Sequence, residues 1–329
     1  MLRILHDTNY DFIRWWKVMA AITIAFILLG LGSLAVKAPN YSIEFTGGTL
    51  MELEFSRPPD VGEIRSTLDE AGIRGAEIQQ FGTNTEFTVR VQNAAAIASQ
   101  AKGAESIAVT IENVLKRKYG DAGLSVKRTE AVSARVGDEF KRGAIIAILL
   151  SFLITLVYLS IRFEWRFAAA AVIATSHDVF TTIAFLKLMH LEISLTVVAG
   201  LLTVLGYSLN DTIIIFDRVR ENLRKGRKET LYETLNRSIN ETLPRSVLTH
   251  ATTFASTLAL LIFAGEVIRP FAWVMAFGIV TGTFSSIYVA APVLLWIERK
   301  WPRKTGTRPT SSTATPTSRT QRSPATATR

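Results

Sequence analysis

Gly206-Tyr207-Ser208-Leu209-Asn210-Asp211-Thr212-Ile213-Ile214-Ile215-Phe216-Asp217-Arg218 sets a carboxylate inside a run that is otherwise apolar enough to cross a membrane. The run begins near Ile193 and ends at Phe216, so Asp211 lies about one and a half helical turns inside the polar edge marked by Asp217 and Arg218. An ionised Asp at the centre of the hydrocarbon costs roughly 2.5 to 3.5 kcal/mol on the mildest insertion scale. Such a residue belongs in a protein interior or on a water path, and its chemistry points to proton or ion handling.

Outward from that stretch, the chain is 48% hydrophobic, and its apolar residues gather into blocks of about 20, the length an α-helix needs to span a bilayer. Six blocks qualify: Val18 to Val36, Gly143 to Ile161, Phe167 to Leu188, Ile193 to Phe216, Ser246 to Ala264 and Phe271 to Ile297. They predict a cytoplasmic N-terminus (1–17), a first transmembrane helix (18–36) and an inserted domain (37–142). A five-helix bundle (143–297) follows, with a cytoplasmic segment at 217–245, and then a basic disordered tail (298–329). The first block exceeds the 7 to 15 apolar residues of a cleaved signal peptide, which favours a retained helix.

The net charge of +9 follows the membrane rather than nucleic acid. Arg3, Arg14 and Lys17 precede the first block, and Arg162 and Arg166 separate the second from the third. Eight Lys or Arg lie from Arg218 to Arg245, and Arg299, Lys300, Arg303 and Lys304 follow the sixth. The loops on the other side carry one basic residue each. By the positive-inside rule both termini are cytoplasmic and the inserted domain is outside. The chain has no cysteine, so neither a disulfide nor a thiolate metal site supports that domain.

Within the inserted domain, Leu50 to Phe55 alternates as a strand and Val61 to Ala71 has helical spacing. Ala76 to Phe81 and Glu86 to Val91 read as a hairpin across Gly82-Thr83-Asn84-Thr85. A second helix fits Ala104 to Tyr119, and Leu124 to Arg128 closes a fourth strand. The order βαββαβ predicts an α+β ferredoxin-like unit. It offers no convergent acid, base or nucleophile, so its expected work is binding or transmission of motion. Gly47-Gly48 reads either as two permissive residues turning helix into strand or as a specific element at the membrane surface.

Polar faces recur inside the apolar blocks. Gly200, Thr203, Tyr207 and Asp211 share one face of the fourth, with Ser208 and Asn210 beside them. Arg245, Thr249, Thr252 or Thr253, and Ser256 share one face of the fifth. The third carries His177-Asp178, read as an interhelical pair or a relay. On the sixth, Gly278, Gly282, Ser286 and Ala290 form a stripe of small residues that admits another helix closely and suggests a seam for a partner. Arg245 begins at the cytoplasmic edge, about 9 Å below Asp211 by helical rise, and its side chain is long enough to reach inward. A meeting of the two would make a proton switch, because burial favours the neutral acid and a guanidinium favours the carboxylate. No phosphate-binding loop or metal-ligand cluster stands out; no catalytic residue, cofactor or metal is expected.

These motifs carry a resemblance. Gly206 to Asn222, Ile161-Arg162-Phe163-Glu164-Trp165-Arg166, His177-Asp178, Glu241 to Thr253, Gly282 to Ile287 and Phe45-Thr46-Gly47-Gly48-Thr49 together resemble the SecF family of protein-export membrane proteins. The likeness runs from Arg14 to Arg299; Glu44 stands where the family pattern has Asp. It implies a polytopic α-helical membrane protein with six transmembrane helices, an RND-like half that pairs with a SecD half beside the SecYEG channel. YajC, YidC, the translocating preprotein and membrane lipids are its further implied partners, in the bacterial cytoplasmic (inner) membrane, with no specific nucleic acid. Asp211 and Arg245 fall on positions the family assigns to a proton path driven by the proton motive force; Tyr207, Ser208, Asn210, His177, Asp178 and Thr249 are expected from their places in the sequence to be supporting polar groups. Two other readings stay open: an RND-type exporter of lipids or small solutes, and a passive scaffold of the translocon.

Overall fold

The apolar blocks fold as six long helices in the computed structural model, which describes residues 8–92, 104–225, 229–265 and 267–302. The tail from 303 and the basic Arg3 lie outside the described residues. In chain order, α1 (Trp16–Gly32) is flanked by 3-10 turns, and a short α2 (Ile43–Thr46) leads into β1 (Gly48–Phe55). Then come α3 (Val61–Glu70), β2 (Glu77–Gln80), β3 (Glu86–Val91), α4 (Ala104–Tyr119) and β4 (Leu124–Val132). The chain re-enters the bundle with α5 (Ala134–Arg162), α6 (Trp165–Leu188), α7 (Leu195–Arg224) and α8 (Leu231–Phe263). The last crossing has three parts: α9 (Arg269–Ser285), a π turn (Ser286–Ala290) and α10 (Ala291–Lys300).

The sheet order is β2-β3-β1-β4 with every pairing antiparallel, the arrangement of a βαββαβ split motif. Alternation sends Met51, Leu53 and Phe55 inward onto Ile64 and Leu68 of α3 and Ile107, Ile111 and Leu115 of α4. The hairpin turns at Gly82 (φ 66°), where the Glu86 carboxylate accepts from both the amide (2.9 Å) and the hydroxyl (3.0 Å) of Thr83. Those two bonds hold the Glu86 carboxyl below its ordinary value. Strand β4 runs on to Val132 rather than stopping at Arg128, so only Ser133 separates the sheet from α5. Ser133 caps that helix, its hydroxyl accepting from Val136, which starts α5 nine residues before the apolar block at Gly143.

The helix of the fifth crossing starts well before the apolar block that begins at Ser246. A capping box of Thr230 and Glu233 starts α8 at Leu231, and the helix runs through Pro244. A proline costs an interior helix one bond and a clash with the carbonyl four residues back, here that of Asn240. Tertiary bonds hold this turn. The amide of Tyr10 donates to Asn240 Oδ1 (2.9 Å), Asn240 Nδ2 donates to the Tyr10 carbonyl (2.8 Å), and the Phe12 amide donates to Asn236 Oδ1 (2.9 Å). The N-terminal segment is thereby tied to the same end of the bundle as the basic 218–245 region.

In the bundle, α6, α7 and α9 are the most enclosed, while α1 and α5 present Leu28, Leu29, Ile146 and Leu149 outward. The small-residue stripe does not face a partner. A Cβ on Gly278 would come within 2.3 Å of Val204, and one on Gly282 within 3.0 Å of Ser208. Helix α7 of the same chain fills the seam. From the other side Gly200 meets Val274, where an added Cβ would stand 3.1 Å away. The sequence pattern tells that a helix approaches closely, but not whose helix it is.

Candidate functional site

Two buried carboxylates organise the centre of the bundle. Asp211 on α7 is 3% exposed. Its Oδ2 accepts from Ser286 Oγ at 2.8 Å and its Oδ1 accepts a short bond from Ser246 Oγ on α8. Asp178 on α6 is fully buried; its Oδ2 accepts from Ser208 on α7 (2.5 Å) and Ser285 on α9 (2.8 Å), and its Oδ1 lies 3.2 Å from His177 Nδ1. Neighbouring residues of an α-helix point about 100° apart, so Ser285 reaches Asp178 while Ser286 reaches Asp211. The π turn starts at Ser286. A widened turn there interrupts the regular bond ladder beside the Asp211 carboxylate.

A polar column continues from Asp211 along α8. His250, one turn past Ser246, lies within electrostatic reach of Asp211, and its Nδ1 is 2.8 Å from Thr283 Oγ1 on α9. Its ring packs against Tyr207 at 5.3 Å between centroids, and the Tyr207 hydroxyl donates to the Thr249 carbonyl at 3.3 Å. Asp211 therefore sits among hydroxyl donors, with no cation paired to it among the described residues.

Arg245 is where the sequence expectation and the structure part. It is exposed and lines a cavity of about 540 Å³ at the end of the bundle carrying Asp217, Arg218 and Glu241. Because α8 is continuous through Pro244, Ser246 takes the place facing Asp211, and Arg245 points about 100° away. The pair does not meet in this arrangement. Asn210 is likewise exposed, on the side of α7 away from the serines, as are Thr203 and Gly206. Thr252 and Ser256 continue an exposed polar stripe on α8. Thr249 Oγ1 bonds back to the Arg245 carbonyl at 2.9 Å. His177 and Asp178 touch within one helix, 3.2 Å apart, and the interhelical bonds are those of Asp178 with Ser208 and Ser285.

Ser246, His250, Thr283 and Ser285 were not singled out from the sequence. Their signal was present as Ser246 and His250 four apart and Thr283 and Ser286 three apart, each pair on one helix face. Serines and threonines are common enough in membrane helices that the spacing alone did not separate them from packing residues.

The profile described as "Protein export membrane protein SecD/SecF, C-terminal" matches residues 110–300, and that of the "SecD/SecF GG Motif" matches residues 32–59. "Protein translocase subunit SecF" of Gemmatimonas aurantiaca is 61% identical over 305 residues, covering 92% of this chain and 91% of that one. The protein of the same name from Escherichia coli O157:H7 is 38% identical, covering 88% of each. Among solved structures, SecDF from Thermus thermophilus, described as a translocon-associated membrane protein, matches with a TM-score of 0.78 at 33% identity over 91% of this chain. SecDF in a "super-membrane-facing form" matches at 0.65 and 35% identity over 90%. The chain spans 40% of the length of each SecDF chain. A six-helix bundle with a ferredoxin-like insert, the matched profiles and relatives of this identity lead to one statement: the chain belongs to the SecD/SecF family of protein-export membrane proteins, in its SecF branch.

Proposed function

We propose that this chain is the SecF-type subunit of a protein translocase, which draws on the proton motive force through Asp211 to assist preprotein passage through SecYEG. The observation that carries the reading is a buried carboxylate held by two serines from two other helices, with a polar column on one side and a charged cavity on the other. Inward proton movement would pass His250, Thr283 and Tyr207, load Asp211, and leave toward the cavity that Arg245 lines. A proton falling through the membrane potential carries about 2.3 kcal/mol per 100 mV. That work is captured when the two states of Asp211 prefer different helix packings. The ionised state accepts from both serines and draws further on water or a cation, from a protonated His250 on α8 or from Arg245 if that helix turns; the neutral state needs one serine to turn and accept the acid's proton. Binding and transmission, rather than catalysis of a covalent step, are the proposed chemistry.

A SecD-type half is the proposed direct partner. Thr203, Gly206, Asn210, Thr252 and Ser256 make poor lipid-facing residues, and a second bundle laid against α7 and α8 would cover them. SecYEG, YajC, YidC, the preprotein and membrane lipids complete the partners the resemblance implies. The proposed orientation has both termini cytoplasmic and the domain between α1 and α5 outside. A single cysteine at Asn84, in a chain that has none of its own, is expected to react with an impermeant maleimide from the outer side; protection there would refute the orientation. The functional reading is tested by adding the chain, with and without a SecD-type half, to SecYEG vesicles carrying a proton gradient. Gradient-stimulated export is expected only with both halves present. Solute export without any effect on preprotein would favour the exporter reading.

A further inference from the structure

The segment matched by the GG-motif profile makes a joint between the outside domain and the helix that carries Asp211. Glu44 Oε2 accepts from the Leu195 amide at 2.6 Å, the first residue of α7. The same oxygen accepts from Ser42 Oγ at 3.2 Å. Beside it, the Ser42 amide donates to the Ile193 carbonyl (2.9 Å) and the Ile193 amide donates to the Asn40 carbonyl (2.7 Å), a parallel bridge between the two chain segments. A helix start leaves four amides without helical partners and carries a partial positive charge. At α7 the N-cap Ser194 serves Val197, and the carboxylate that serves Leu195 comes from 151 residues earlier in the chain.

The other side of the joint is equally tight. Gly47 (φ 72°) and Gly48 (φ 140°) take α2 straight into β1, the strand that pairs with both β3 and β4. A Cβ on Gly47 would stand 2.7 Å from the Ala134 backbone, and one on Gly137 would stand 3.0 Å from the Gly47 amide. The short α2 is thus clamped between the starts of α5 and α7. A cleft of about 430 Å³ separates the charged face of the sheet (Glu52, Arg90, Arg128, Glu130) from Thr196, Val267 and Pro270, bridged at one edge by the Arg90–Glu192 ion pair.

From Leu195 to Asp211 is sixteen residues of unbroken helix, about 24 Å of rod at 1.5 Å per residue. An axial shift of this continuous helix at Asp211 would carry to Leu195, which Glu44 holds. We infer that Glu44 is a coupling residue: its carboxylate, docked on the first amide of α7, passes movement of the Asp211 helix through α2 and Gly47-Gly48 into the central strand of the outside domain. This rests on the reading of Asp211 as the proton-carrying group. It makes Glu44 a positioning residue outside the proton path; Gly47-Gly48 make the turn from helix into strand that their positive φ permits, and that turn becomes part of the joint.

The test uses the full chain co-assembled with a SecD-type half, carrying nitroxide labels on cysteines at Asn84 and Val267, across the cleft. With Glu44 in place, the distance distribution is expected to shift between Asp211 and Asp211→Asn. In Glu44→Ala that shift is expected to vanish while partner copurification and proton-linked titration of Asp211 stay as in the parent. Glu44→Asp, which restores a carboxylate, is expected to recover at least half of the shift. A full shift in Glu44→Ala overturns the coupling role alone. No shift in the parent protein also overturns the coupling proposal, whereas loss of the proton-linked titration of Asp211 in that same protein overturns the reading on which it rests. If Glu44→Ala does not assemble, Glu44→Gln carries the test. It keeps the size and an acceptor oxygen but not the charge, and is expected to reduce the shift about twofold; an undiminished shift overturns the proposal.

Discussion

Asp211→Asn is expected to assemble with a SecD-type half at wild-type level and to lose the proton-dependent component of export entirely. Asparagine keeps the size of the side chain and can accept from one serine while its amide donates to another oxygen. Ser246 and Ser286 therefore remain satisfiable, and the helix positions persist. What disappears is the exchange between a charged and a neutral state. Without it the potential's roughly 2.3 kcal/mol per charge per 100 mV has no group to act on, so stimulation in energised vesicles should fall to the level seen with the gradient collapsed. Export that does not depend on the gradient should continue. Full stimulation by this variant would remove Asp211 from the mechanism, and a failure to assemble would make it a structural hydrogen-bonder.

The second large effect is expected at Asp178, with the opposite character. Asp178 accepts from Ser208 on α7 and Ser285 on α9 while sitting on α6, so it ties together the three most enclosed helices. Asp178→Leu removes both interhelical bonds, each worth about 0.6 to 2 kcal/mol in membrane proteins. It also leaves the Ser208 hydroxyl without its acceptor, at about 1 to 3 kcal/mol, while Ser285 keeps the Gly282 carbonyl at 3.2 Å. The expected result is a loss of about 2 to 5 kcal/mol of bundle stability, read as a lowered thermal midpoint in detergent and poor recovery of the complex. Asp178→Asn should recover part of it. Normal stability of Asp178→Leu combined with lost stimulation would instead place Asp178 and His177 on the proton path.

Much of this was legible in the sequence because the strongest signals there are physical minima. Six apolar blocks of bilayer length, a buried Asp and an alternating βαββαβ pattern each admit few structures. Helix ends were less legible. The beginning of α5 at Ala134 and of α8 at Leu231 depend on caps in polar sequence, and the passage of α8 through Pro244 depends on bonds from Tyr10 and Phe12, more than 220 residues away. The site was half legible for the same reason. Asp211 declared itself by cost, but its serine partners come from two other helices whose rotation is set by packing. A one-residue difference in phase put Ser246 rather than Arg245 against it. Likewise the Gly278 and Gly282 stripe announced a close approach that turned out to be with α7 of the same chain. Glu44 looked like a minor variation within a motif until the fold brought Leu195 to it.

The central claim is that Asp211 itself gains and loses the transported proton. Infrared difference spectroscopy of the reconstituted complex on a pH step measures this directly through the carbonyl band of a protonated carboxylic acid. The account predicts a band in the parent protein that appears and disappears with the step, is absent in Asp211→Asn, and survives in Asp178→Asn and Glu44→Ala. A proton-linked carboxyl band that persists unchanged in Asp211→Asn would contradict it.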